Sequence, residues 1–136
     1  MAFVEEMLRN EANGSVSFGN YSLAEKKKVE NFKSGNDILK VKTFKEMTRL
    51  EKNDLFLYES EPGTSVFNFL DTDKEVSFEV FGEEDAQITL GLAEDTEYSV
   101  YIDDVNTGKM KTNLSGKMSI SVELSNDKAV KVKIVK

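Results

Sequence analysis

A chain of 136 residues is long enough to bury a core as one domain or as two small packed halves. Its 18 basic and 25 acidic residues leave a net charge of −7, which opposes nucleic acid and anionic membrane surfaces as partners. Histidine and cysteine are both absent, which removes the usual general base, the commonest metal ligand, histidine-dependent triads, thiolate nucleophiles and disulfides.

The first nine residues have neither a basic leader nor a long apolar run, and no stretch approaches the roughly 20 apolar residues of a membrane span, so the expected location is cytoplasmic. Phe3, Val4, Met7 and Leu8 fall at helical spacing, with Glu5, Glu6 and Arg9 opposite and Asn13-Gly14 as a stop. The spacing predicts a short amphipathic helix over residues 2–12, covering one end of a β core or meeting a second subunit. Residues 15–21 alternate weakly, as an edge strand does, and Lys26-Lys27-Lys28 reads as solvated surface.

Residues 38–43 alternate Leu39 and Val41 with Lys40 and Lys42, the pattern of a strand. Thr43 and Glu46 have the spacing of a helix-capping box, with Phe44, Met47 and Leu50 recurring every third residue. One or two helical turns are expected there, with a strand through Met47, Thr48 and Leu50 as the alternative. Residues 54–59 and 65–69 are apolar on both faces, as strands between packed layers are, and Pro62-Gly63 turns the chain between them.

From residue 75 to the C-terminus every second residue is apolar in five short segments: Val76 to Val80, Ile88 to Leu92, Tyr98 to Ile102, Met118 to Leu124 and Val130 to Ile134. A period of two marks strands with one face in a core and one in water. The segments are separated by acidic or glycine-containing turns, including residues 82–85, 93–96, 103–108 and 114–116. Lys131 and Lys133 on the last segment have the look of edge-strand protection. The expected architecture is all-β, an immunoglobulin-like antiparallel sandwich over residues 71–136 packed on a β-rich half with its leading helix over residues 1–70.

Chemistry finds little purchase. The carboxylates of residues 83–85, 94–95 and 103–104 sit in predicted turns. Residues 103–108 fail the helix-loop-helix calcium pattern, which leaves at most a loop site from Asp103, Asp104 and Asn106. No glycine cluster forms a phosphate loop, and no cofactor motif is present. Phe81 and Tyr101 fall on the outward register of their strands, a contact surface unless the N-terminal half covers them.

Residues 98–104 (YSVYIDD), Gly108, Thr112, Gly116 and residues 118–122 (MSISV) resemble the small immunoglobulin-like modules appended to bacterial polysaccharide-degrading enzymes and surface proteins, over less than a third of the chain. Residues 41–53 (VKTFKEMTRLEKN) and 58–64 (YESEPGT) are similar to short uncharacterised bacterial proteins that sometimes carry an endosialidase label. Sialidases hold the substrate carboxylate with three arginines, whereas only Arg9 and Arg49 occur here, on different predicted elements. The resemblance therefore implies a non-catalytic stalk or accessory segment of phage tail-spike proteins.

These observations converge on a non-catalytic structural or protein-binding module that associates with itself or with another protein. Phe3, Val4, Met7, Leu8, Phe81 and Tyr101 are the candidate contact residues. A carbohydrate-binding accessory module is the first alternative, and a carboxylate-dependent glycoside hydrolase the second.

Overall fold

The computed structural model describes residues 3–125 and 128–136. Among them there is no helix; thirteen strands account for the regular structure. The first half contains β1 (Leu8–Asn10), β2 (Val16–Phe18), β3 (Lys27–Ser34), β4 (Asp37–Phe44), β5 (Met47–Lys52), β6 (Leu55–Glu61) and β7 (Ser65–Asp71). The second contains β8 (Glu75–Phe81), β9 (Ala86–Gly91), β10 (Glu97–Ile102), β11 (Val105–Lys111), β12 (Lys117–Val122) and β13 (Val130–Val135).

The strands form two antiparallel sheets, one in the order β1-β2-β7-β8-β13-β10-β11 and the other in the order β12-β9-β6-β5-β4-β3. Alternation decides which side chains lie between them. Val76, Phe78 and Val80 of β8, Ile88 and Leu90 of β9, and Val130, Val132 and Ile134 of β13 are all buried, while their neighbours in sequence face out. A boundary at residue 70 divides neither sheet, because β7 pairs with β8 and β6 with β9. The apolar core is likewise one cluster that includes Leu50 and Tyr58 with Ile88 and Ile134.

The expected N-terminal helix is absent. Met7 adopts φ 69°, its amide bonds to the Val4 carbonyl at 2.9 Å, and Leu8, Arg9 and Asn10 pair with β2. A helix of eleven residues is marginal by itself, whereas β2 offers ladder hydrogen bonds and the core takes Val4 and Leu8. Apolar residues at positions 3, 4, 7 and 8 satisfy a turn followed by a strand as well as they satisfy a helix.

The capping-box reading of residues 43–46 gives way to the strand alternative. Phe44 pairs with Met47 across the Lys45-Glu46 turn, and Thr43 faces Thr48. The Thr43 hydroxyl accepts the Asn20 amide at 2.9 Å instead of capping a helix. β2 is an inner strand, between β1 and β7, rather than an edge, and Lys27 and Lys28 lie exposed within β3. The last strand is also no edge: β13 lies between β8 and β10, where Lys131 opposes Glu79 and Lys133 reaches Glu75 at 3.7 Å.

At one end of the core a chain of hydroxyls replaces apolar packing. Thr43 and Thr48 share a bond of 2.8 Å, Thr48 donates to the Thr64 carbonyl, and the Thr64 hydroxyl meets both Tyr58 OH and Ser60 Oγ at 2.8 Å. These side chains are buried, and each finds a partner within the group, which is the condition under which buried polar groups are tolerated. Gly63 is required beside them, since a Cβ there would stand 1.9 Å from the Phe44 carbonyl oxygen.

Candidate functional site

The six residues singled out in the sequence do not form one surface. Val4 and Leu8 are 0% and 3% exposed and belong to the core, so neither presents surface to a partner in this structure. Met7 packs against that core, and Phe3 meets the Tyr21 ring edge-on at 6.3 Å. Phe81 and Tyr101 both lie on the outer face of the seven-stranded sheet, but Tyr101 is level with Lys133 and Ser77. That places it two strands across and four residues along from Phe81, roughly 16 Å by ordinary strand spacing. The N-terminal half does not cover this face; it extends the sheet sideways and sets Phe67 against Phe81 at 5.5 Å, with Arg9 over Phe67 at 5.8 Å. Beside them the Glu11 carboxyl is held below its ordinary range by the hydroxyl of Ser17 and then by Arg9.

The acidic turns have structural roles. Asp103 and Asp104 adopt φ 49° and 66°, the left-handed pair that a tight two-residue hairpin turn needs. Asp103 Oδ1 accepts the Lys131 amide at 3.0 Å, and Asn106 Oδ1 accepts the Gly108 amide at 2.8 Å. Among the described residues no three acidic side chains are grouped to hold a metal ion.

On the outer face of the six-stranded sheet, Phe56 lies between two cations, Arg49 at 5.3 Å and Lys117 at 4.8 Å from its ring centre. Arg49 is held in turn by Glu51 at 3.1 Å and Glu59 at 3.6 Å. Beyond Phe56, a groove of about 470 Å³ opens at the end of the two sheets, with Leu55, Leu92 and the Lys52–Asp71 ion pair in its walls. Three of the large apolar side chains left exposed lie at this same end: Ile38 near the start of β4 at 40%, Leu55 at the start of β6 at 71% and Leu114 in the turn after β11 at 81%.

The four sheet edges differ in how they are protected. β1 is three residues long, and Asn10 Nδ2 closes it against the Lys33 carbonyl at 3.0 Å. β3 carries Lys27 and Lys28 and a register break between Val29 and Phe32, where Asn31 has φ 55°. β11 carries Lys109 and Lys111, and Gly108 at φ 118° turns its amide back onto Asn106. Lysines, bulges and brevity are the usual devices against unwanted strand pairing.

β12 has none of these in its middle. Its six residues pair with β9 without a register break, and Ser119 and Ser121 face out where the other edges place charge. The amide and carbonyl of Lys117 are both taken by Asn113, at 2.9 and 3.1 Å, so they point away from β9. In an antiparallel pair these directions alternate, and the backbone groups of Ser119 and Ser121 therefore point to the free edge as well. Sequence reasoning missed this site, because alternation identifies a strand but not which strands end a sheet. Comparison with protein-family models, with curated proteins and with solved structures found no match.

Proposed function

We propose that the chain is a non-catalytic structural or protein-binding module that joins copies of itself by strand addition along β12. The observation that carries this reading is the unprotected β12 edge, the one regular and centrally uncharged edge among four in the described residues. Strand addition draws affinity from main-chain hydrogen bonds, and this edge offers the amide and carbonyl of Ser119 and Ser121. The groove beside Phe56 adjoins the start of β12 through Ser115 and Lys117, so an added strand would run beside apolar surface.

For the C-terminal half the immunoglobulin-like assignment is part of this proposal. It is supported by the strand neighbours: β9 pairs with β12, and β8-β13-β10-β11 follow one another in the opposite sheet. In an immunoglobulin domain the second and fifth strands pair in one sheet, while the third and sixth pair in the other. The departure is β8, which occupies the position taken in such domains by the last strand.

Ser119→Pro tests the reading. Proline removes an outward amide and leaves the hydrogen bonds to β9 in place, so the variant folds. Light scattering at tens of micromolar is expected to give the intact protein a mass above that of the monomer and the variant the monomer mass. A monomeric intact protein, or a variant that associates as well as the intact one, contradicts it.

A further inference from the structure

We infer that the strand added to β12 is the β12 of a second copy, antiparallel about a two-fold axis at Ile120, with Lys117 of each chain opposite Glu123 of the other. This rests on the strand-addition reading and names its partner. Three constraints lead to the same register. The inner faces of the two copies must stay on one side, so Met118, Ile120 and Val122 have to oppose residues of the same parity. The residues whose backbone points outward must meet each other, a condition that Ser119 opposite the partner's Ser121 and the reverse satisfies with four hydrogen bonds. With Ile120 opposite its own counterpart both conditions hold, and the next outward pair is then Lys117 with Glu123. Both side chains are exposed and of opposite charge, so the ladder ends at each side on a favourable cross-strand pair. A shift of two residues along the strand would lose this match.

A closed two-fold contact of this kind joins the six-stranded sheets of both copies into one and removes the β12 edge from each.

Charge exchange tests the register. Lys117→Glu and Glu123→Lys each place like charges at both ends of the ladder, and each alone is expected to weaken self-association about tenfold or more in sedimentation velocity. Mixing the two variants makes every end pair opposite again and is expected to restore association as a one-to-one heterodimer. Both positions are exposed, and unchanged denaturant midpoints for the diluted variants confirm that the monomers are intact. If Ser119→Pro abolishes association while the two reversals leave it unchanged, or if mixing fails to restore it, strand addition stands and this partner register is wrong. If the intact protein never associates, both readings fail.

Discussion

Thr64 shows how much a single buried hydroxyl can hold. Its oxygen meets Tyr58 OH and Ser60 Oγ, its amide donates to Thr48 Oγ1 at 3.1 Å, and its carbonyl accepts from the same hydroxyl. Burial pushes the Tyr58 phenol far above its ordinary range, so the phenol stays protonated beside these oxygens. Thr64→Val keeps the volume and removes the shared oxygen, which leaves buried hydroxyls short of a partner. The expected loss is about 1–3 kcal/mol, read as a lower denaturant midpoint with an unchanged slope. None of this was legible in the sequence. Thr43 has there the spacing of a helix cap, and the partners of Thr48, Ser60 and Thr64 are set by how β4, β5, β6 and the Pro62-Gly63 turn converge.

At the scale of the element, alternation was a good guide where both faces differed. The strands of the second half fall where Val76 to Val80, Ile88 to Leu92 and Val130 to Ile134 alternate, and the strand expected at residues 38–43 is β4. It failed where a short apolar set fits two periods. Residues 3–8 and 43–50 both match a helix, and in both the available strand partner won: β2 for the first, β4 itself for the second. The turn expected at residues 103–108 is tighter than the composition suggested, since only Asp103 and Asp104 lie between β10 and β11. Asp104 pays a conformational cost at φ 66° that glycine would not. Asp104→Gly is therefore expected to stabilise the protein by about 0.5 kcal/mol in thermal or urea unfolding, while Asp103 keeps its bond to the Lys131 amide.

Across the whole molecule each half of the chain supplies strands to both antiparallel sheets, around one apolar cluster. Its edges follow from that order, and they account for the reading of function more than any concave site does. Three edges carry brevity, bulges or lysines, and β12 carries two serines. Lys131 and Lys133 looked like edge protection in the sequence, yet they serve as cross-strand partners in the middle of a sheet. Which strand is last depends on pairings between residues far apart in the chain, and alternation within a strand carries no information about them.

Amide hydrogen exchange resolved to single residues shows whether the outward amides of β12 are used. Ser119 and Ser121 are expected to exchange slowly at protein concentrations where the chain associates and to become fast on dilution. Met118 and Ile120, whose amides face β9, are expected to stay slow at both concentrations. Fast exchange at Ser119 and Ser121 at every concentration, with Met118 and Ile120 protected throughout, would contradict strand addition at this edge.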